Sequence, residues 1–150
     1  IHARTTKEMS KVPAHYELFE QIVALRDKLS PTTLIVANGD ITSRSGGVAL
    51  AKKYNLDGVM IGRGVFDDPY VFAQKSPWLS MTKVKKINLY KKHVELFAKT
   101  WPNGERRIHT LNKFCKIYIN DFDGAKELRE ELMNCQTPDE LSQLLNSLDE

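Results

Sequence analysis

Two short apolar runs mark the first half of the chain, and each one ends in a glycine turn. Residues 34–37 precede Asn38-Gly39-Asp40, and residues 58–61 precede Gly62-Arg63-Gly64. Short apolar runs between turn signals are typical of parallel strands buried on both faces. The pattern predicts two consecutive β-turn-α units, and therefore an α/β barrel or an open α/β sheet. In both folds, ligands bind at the carboxyl ends of the strands.

Helical periodicity surrounds these runs. Pro13 is expected to open the first helix, because proline is favoured at the first helical position. Its predicted buried stripe consists of Leu18, Ile22, Leu25 and Leu29. A second helix is predicted over residues 45–54 and ends at Asn55. Asp68 is expected to cap a short third helix.

The strand-like runs stop near Ser76-Pro77-Trp78, and four amphipathic helical segments follow. We therefore predict one domain over residues 1–79 and a small all-α bundle over residues 80–150. The predicted segments are residues 82–99, residues 105–119, a third carrying Leu128 and Leu132, and a last one after a capping box at 137–140. The apolar face of the first segment consists of Val84, Ile87, Tyr90, Val94 and Phe97, and that of the second consists of Ile108, Leu111, Cys115 and Ile119.

Composition describes an ordinary globular chain, but the charge is unevenly distributed. The 150 residues carry a net charge of +3, with 41% hydrophobic residues. Residues 80–118 hold ten basic and two acidic residues, whereas residues 119–150 hold two basic and nine acidic ones. On a continuous helix a basic stripe would span about 80°; it consists of Arg106, His109, Lys113 and Lys116. Such a stripe favours a polyanion, with a solvated face as the alternative.

Several classes are disfavoured by the sequence. Apolar runs are too short to span a membrane, and the first residues do not form a signal peptide. Cys115 and Cys135 lie in helix-like sequence without metal-site spacing, so we expect free buried thiols, no metal and a cytoplasmic location. The chain opens on Ile1 as if inside an element, and we expect it to be part of a longer protein.

The Gly62-Arg63-Gly64 turn is the strongest candidate for a binding site. Its two glycines permit close backbone approach, and Arg63 adds a forked donor for phosphate oxygens. The alternative is a tight turn with a solvated arginine. His2 offers a ring N–H to a ligand, or serves as a structural loop histidine.

Three motifs in this order carry a family resemblance. They are His2-Ala3-Arg4-Thr5, Asn38-Gly39-Asp40-Ile41 and Gly62-Arg63-Gly64, followed by Pro69 and the basic helical tail. The chain resembles the carboxyl-terminal part of a tRNA-dihydrouridine synthase. The resemblance implies an α/β fold: the last strands and helices of a partial (β/α)8 TIM barrel, followed by a helical tRNA-binding domain. It also implies reduction of the C5–C6 bond of uridine in tRNA, using FMN and NADPH.

The resemblance assigns roles to individual residues. It implies FMN contacts by His2, Asn38, Gly39, Asp40, Gly62, Arg63 and Gly64. It implies that Arg4 lies at the active-site rim, near flavin or RNA, and that Lys113 is a basic residue of the RNA-binding tail, although Phe114 stands where the family often has histidine. The basic stripe adds Arg106, His109 and Lys116 to the predicted nucleic-acid contacts. The family's proton-donor cysteine lies in the earlier half of the barrel, so we name no catalytic residue and expect this chain alone to be inactive.

Two other functions remain open from the residues. One is a different FMN-dependent barrel, such as a dihydroorotate dehydrogenase or an old-yellow-type reductase. The other is a stand-alone RNA-binding helical module without catalysis. We also expect the isolated chain to self-associate, because one apolar face of its strands lacks a cover. We expect it to bind FMN poorly, because half of the pocket is missing.

Overall fold

A computed structural model describes residues 1–8 and 11–149 of the protein. The chain forms two compact units, Ile1–Trp78 and Leu79–Glu150, and each is described by itself. The elements of the first unit are α1 (Leu18–Leu29), β1 (Val36–Asn38), α2 (Arg44–Tyr54), β2 (Gly58–Met60) and α3 (Gly64–Asp67). A 3-10 turn covers Trp78–Ser80.

The two strands pair in parallel, with Val36 opposite Gly58 and Asn38 opposite Met60. The start of the chain runs alongside β1, because His2 forms a parallel bridge with Asn38. The Ile1 amino group donates to the Val36 carbonyl at 2.6 Å, and the Asn38 amide donates to the Ile1 carbonyl at 2.8 Å. All three predicted motifs therefore leave neighbouring extended segments at the same edge.

Within this chain only one face of the strands is buried, which agrees with the expectation that the other apolar face lacks a cover. Ile35 and Ala37 are buried, whereas the alternating residues Leu34 and Val36 are 72% and 41% exposed. Side chains alternate between the faces of a strand, and the described helices cover only one face of β1. On that face lies a core of Ala3, Phe19, Ile35, Ala37, Ile41 and Tyr54.

The first helix differs from its prediction in both its start and its buried side. It begins at Leu18 rather than near Pro13, and its buried residues are Phe19 and Val23. Leu25 and Leu29 of the predicted stripe are 57% and 70% exposed. The reason is the Phe19 ring, which packs against the Tyr54 ring with 6.2 Å between the two ring centroids. This aromatic contact holds the Phe19 side of α1 against the core.

The boundaries of α2 agree closely with the sequence. The Ser43 hydroxyl accepts a hydrogen bond from the Gly46 amide at 3.1 Å, and Asn55 ends the helix in the left-handed conformation, as predicted. The helix lies close against β2, because a Cβ on Gly47 would approach the Val59 side chain to 2.6 Å.

The predicted helix capped by Asp68 is absent from the described structure. Instead α3 ends just before Asp68, and the Asp68 carboxylate accepts from the Tyr70 amide at 2.7 Å. A short aspartate turn of this kind satisfies the backbone locally without starting a helix.

The second unit consists of helices. They are α4 (Lys83–Thr100), α5 (His109–Asn112), α6 (Cys115–Tyr118), α7 (Ala125–Asn134) and α8 (Pro138–Asn146), with a 3-10 turn over Ser147–Asp149. The predicted continuous helix over residues 105–119 is wrong, since it is replaced by the two short helices α5 and α6. The backbone leaves regular helix at Lys113 and Phe114, which lie between them.

The core of this unit confirms most of the predicted apolar faces. Ile87, Tyr90, Val94 and Phe97 of α4 are buried, but Val84 is 57% exposed, contrary to prediction. The other predicted residues in the core are Ile108, Leu111, Cys115, Ile119, Leu128 and Leu132, and Leu141 and Leu145 of α8 are buried as well. Both cysteines are free and buried, as expected.

The last helix carries the predicted N-terminal cap. The Thr137 hydroxyl accepts from the Glu140 amide at 3.2 Å. The Glu140 carboxylate accepts from the Gln136 amide at 2.8 Å, one residue before the position expected of a capping box.

The described residues form a mixed α/β structure dominated by helices, with a two-stranded sheet. Closure of this sheet into a barrel stays a prediction, as do the exact domain limits and the cytoplasmic location. Among the described residues, no helix is both long and apolar enough to cross a membrane.

Candidate functional site

A pocket of about 810 Å³ lies at the carboxyl ends of β1 and β2. The seven residues predicted to contact a cofactor all line it, although they come from three separate stretches of the chain. The lining residues are His2, Asn38, Gly39, Asp40, Ile41, Thr42, Met60, Gly62, Arg63, Gly64, Phe66 and Asp67. Parallel pairing produces this convergence, because it places the three motif-bearing loops at one edge.

The loop after β1 depends on Gly39 for its shape. Gly39 has a φ of +115°, which is strained for residues with a side chain. A Cβ there would lie 3.2 Å from the His2 ring and 3.3 Å from the Ala14 side chain. The Tyr16 hydroxyl donates a hydrogen bond to the Gly39 carbonyl from the other side. Gly39 thus lets the loop pack directly against His2.

The two glycines beside Arg63 have different structural roles. A Cβ on Gly64 would lie 3.0 Å from the Ile61 side chain and 3.2 Å from the Ile41 carbonyl oxygen. A Cβ on Gly62 would meet no described atom within 4 Å. Close packing between two loops therefore requires a glycine at position 64. At Gly62 the absence of a side chain leaves open space at the wall of the pocket.

Arg63 extends over the pocket with a side chain that is 69% exposed. Its Nη2 lies 3.9 Å from Oδ1 of Asp40, at the limit of an ion pair. Arg63 therefore lines the pocket with a largely exposed side chain, and the Asp40 carboxylate lies beside its guanidinium. An exposed forked donor in this position suits an anionic group of a ligand.

The predicted contact of Arg4 with RNA would require the Arg4 side chain to lie on an exposed surface, and it does not. Its side chain is 4% exposed, and its Nη2 donates to Oδ2 of Asp40. The Ala14 amide donates to the same oxygen at 3.0 Å. Contact of Arg4 with RNA stays a prediction, while the geometry places Arg4 behind the pocket.

The Asp40 carboxylate is held in its charged form. Partial burial opposes ionisation, but the hydrogen bonds from the Ala14 amide and from Arg4 outweigh it, with a smaller contribution from the charge of Arg63. The pKa of Asp40 consequently lies below its ordinary value. The pKa of Tyr16 is raised by burial and by the nearby Asp40 charge.

The sequence reading missed several residues of this site. Thr42, Phe66 and Asp67 line the pocket, and Tyr16 supports it from behind. Phe66 and Asp67 follow the Gly62-Arg63-Gly64 turn directly, so the rule that sites form at carboxyl ends of strands could have suggested them. Tyr16 belongs to no motif, and its role depends on tertiary contacts alone.

The predicted basic stripe of the second unit is divided into separate parts, because the helix that should carry it is broken. Arg106 precedes α5, and its guanidinium carbon lies 5.2 Å from the centroid of the Trp101 ring. His109 is exposed at the start of α5. Lys113 and Lys116 instead line a groove of about 710 Å³ next to α7.

Two further cationic residues line this groove, and both lie in residues 119–150, the acidic part of the sequence. Lys126 and Arg129 of α7 line it together with Lys113 and Lys116. Arg129 donates to the Ile119 carbonyl at 2.8 Å, and Lys126 lies 3.9 Å from Glu130. Four cationic side chains thus line one groove, although they come from opposite sides of the charge boundary in the sequence.

No group of three or more His, Cys, Asp or Glu side chains among the described residues is arranged to hold a metal ion.

Comparison with known proteins identifies the family. The family model for dihydrouridine synthase matches residues 1–150. A probable tRNA-dihydrouridine synthase of Staphylococcus epidermidis is 46% identical over 99% of this chain, and one of Staphylococcus aureus is equally similar. Probable tRNA-dihydrouridine synthase 2 of Bacillus subtilis is 42% identical over the same share. The chain covers 45% of the length of each of these relatives. It belongs to the dihydrouridine synthase family.

Proposed function

We propose that this chain is part of an enzyme that reduces the C5–C6 bond of uridine in tRNA, with FMN in the pocket of the first unit and NADPH as reductant. The observation that carries the proposal is the convergence of seven motif residues from three stretches on one pocket at the strand ends. The relatives are named as tRNA-dihydrouridine synthases, which supports tRNA as the substrate. No observation favours a different FMN-dependent oxidoreductase or an RNA-binding module without catalysis.

The residues of the pocket fit a ligand that carries a phosphate. Gly62 leaves open space where a side chain would stand, and Arg63 offers charged N–H groups beside it. Of the acidic residues that line the pocket, Asp40 is already paired with the buried Arg4. A phosphate next to Arg63 would meet the guanidinium charge in a recess that the backbone leaves open, with Asp67 as the second acidic residue of the lining.

Bound FMN would supply the hydride for the reaction, and this chain would supply its binding site. His2 packs against Gly39 at the rim, where its ring can orient a planar ligand. We assign the delivery of a proton to residues outside this chain, in the part of the enzyme that the resemblance describes as the earlier half of the barrel.

Removal of the Arg63 guanidinium tests the pocket. In the full-length protein, Arg63→Ala should weaken FMN binding by roughly ten- to a hundredfold, the effect expected of a lost hydrogen bond to a charged group. Arg44→Ala is the control, since Arg44 is exposed at the start of α2 and lies outside the pocket lining. Fluorescence titration with FMN measures both variants, and an unchanged affinity in Arg63→Ala would exclude Arg63 from the site.

The helical unit is proposed to contact the tRNA backbone through Arg106, His109, Lys113 and Lys116. Contacts between cations and phosphates make binding depend steeply on salt and weakly on sequence. Replacing Arg106, Lys113 and Lys116 with alanine should flatten the slope of log affinity against log salt by up to about three contacts.

The control for this experiment is a second triple variant of equal charge. Lys28, Lys52 and Lys75 are exposed residues of the first unit, and their replacement by alanine removes the same charge elsewhere. If both triple variants shift the slope equally, the effect comes from net charge, and the helical unit has no specific role.

A further inference from the structure

The groove of about 710 Å³ beside α6 and α7 concentrates the positive charge of the chain. Lys113 and Lys116 line it from one side, and Lys126 and Arg129 line it from α7. Four cations and one carboxylate, that of Glu130, give the lining a net charge of +3, which equals the net charge of the whole chain. The charges of all other residues together therefore cancel.

We propose that this groove binds the phosphate backbone of RNA, with Lys126 as a phosphate contact and Glu130 as a carboxylate that weakens the binding. The inference rests on the proposed binding of tRNA by the helical unit. It extends the contact surface to α7, which belongs neither to the basic stripe nor to any of the three motifs.

The first step of the argument is the distribution of charge in residues 119–150. This segment holds two basic and nine acidic residues. Both basic residues line the groove, whereas Glu130 is the one acidic residue of the segment that lines it within the described part of the chain. A solvated surface usually mixes charges of both signs. The separation of the two signs favours a polyanionic partner at the groove.

The second step is the fixed position of α7. Nη1 of Arg129 donates to the Ile119 carbonyl at 2.8 Å, directly after the last residue of α6. This hydrogen bond ties α7 to the helix that carries Lys116. The two helices that supply the cations are therefore held together before any ligand binds, and a preformed site loses less entropy on binding.

The third step is the environment of Lys126. Its side chain is 76% exposed, and its Nζ lies 3.9 Å from the Glu130 carboxylate, which is 68% exposed. An exposed ion pair at this distance contributes little to stability, so a phosphate can replace Glu130 as the partner of Lys126. Glu130 then competes with the ligand for the lysine.

The kind of cation in the groove favours an RNA backbone. Three of the four cations are lysines, which act as point charges on flexible side chains and suit phosphates better than base edges. Because these charges come from two helices along one groove, they match a chain of phosphates better than a single small anion.

The test measures tRNA binding by the full-length protein at a series of salt concentrations. Lys126→Ala should reduce the slope of log affinity against log salt by about one, since one phosphate contact is lost. The effect of the substitution on affinity should therefore differ by about fourfold between about 50 and 200 mM salt. Glu130→Gln should strengthen tRNA binding by about two- to fivefold, because the competing carboxylate is removed.

Lys99→Ala is the matched control for the loss of one lysine. Lys99 is exposed in the last turn of α4 and lies outside the groove lining, so its replacement removes the same charge from the same unit. Its slope should equal that of the wild-type protein. Alanine is a good helix former, so both variants should fold, and urea denaturation checks this.

The outcomes separate the two proposals. If the alanine variant of Arg106, Lys113 and Lys116 flattens the slope but Lys126→Ala behaves like Lys99→Ala, the inference is overturned and the proposed tRNA binding stands. If neither variant flattens the slope, the proposed binding of tRNA by this unit fails, and the inference fails with it.

Two further results would also contradict the inference. Unchanged or weaker tRNA binding in Glu130→Gln would show that this carboxylate does not oppose the ligand. Weaker binding of polyglutamate with unchanged binding of tRNA in Lys126→Ala would assign the groove to an acidic protein segment instead of RNA.

Discussion

The two faces of the small sheet differ sharply in what covers them. On one face, Ile35 and Ala37 are 7% and 0% exposed beneath α1 and α2. On the other, Leu34, Val36 and Met60 are 72%, 41% and 55% exposed. Neighbouring residues along the segment that leads into β1 therefore have opposite environments, and both sets are apolar. One covered face is enough to build a core, while the second keeps an apolar surface that a partner could bury.

Lysine substitutions on adjacent residues test this contrast with the largest expected effect. Ile35→Lys places a charge in the core and should lower the free energy of unfolding by at least about 3 kcal/mol. Leu34→Lys places the same charge on the exposed face and should change it by less than about 0.5 kcal/mol. Urea denaturation at a protein concentration where the chain is monomeric measures both variants, so that a loss of association in Leu34→Lys does not enter the comparison. Equal destabilisation would mean that Leu34 is as buried in solution as Ile35.

The same exposed face is the reason to expect self-association of the isolated chain. Open strand edges and exposed apolar residues favour contact between copies. Leu34→Lys and Met60→Lys should shift the sedimentation of the chain toward a monomer at micromolar concentration, while stability is retained. A wild-type chain that sediments as a monomer, or variants that associate as strongly as wild type, would contradict this expectation.

The sequence predicted the site better than it predicted the helices. The pocket was predictable because glycine turns at the ends of parallel strands meet at one edge, whatever the details of the helices. The buried side of α1 was not, because several apolar side chains compete there and the Phe19 ring, not the leucine stripe, contacts Tyr54. The periodicity of the sequence shows which residues of a helix are apolar. It does not show which of two apolar sides of the helix packs against the core.

The basic stripe shows a second limit of sequence reasoning. Its geometry assumed one helix, and the break between α5 and α6 at Lys113 and Phe114 divides it. The groove with Lys126 and Arg129 could not be predicted from charge counts, because α7 belongs to the acidic region of the sequence. Likewise, the burial of Arg4 follows from tertiary contacts with Asp40 rather than from any motif.

The contrast between the faces depends on the register of the strands, since a slip of one residue would exchange them. Asp57 holds that register: its carboxylate accepts from the Ile35 amide at 2.7 Å and from Arg26 at 2.9 Å. The hydrogen bond from the Ile35 amide and then that from Arg26 lower the pKa of Asp57 from its ordinary value of 3.8.

A depressed pKa in the folded state contributes stability above pH 3.8 and loses it as the pH falls through the folded value. The smallest predicted effect is therefore a shallower loss of stability in Asp57→Asn than in wild type as the pH falls below 3.8. Asp139→Asn, at the exposed start of α8, is the control for the loss of one carboxylate. Thermal unfolding across this range measures the slopes. Parallel curves for Asp57→Asn and wild type would show that Asp57 titrates normally, and the register would then be held by the strand pairing and the packed face alone.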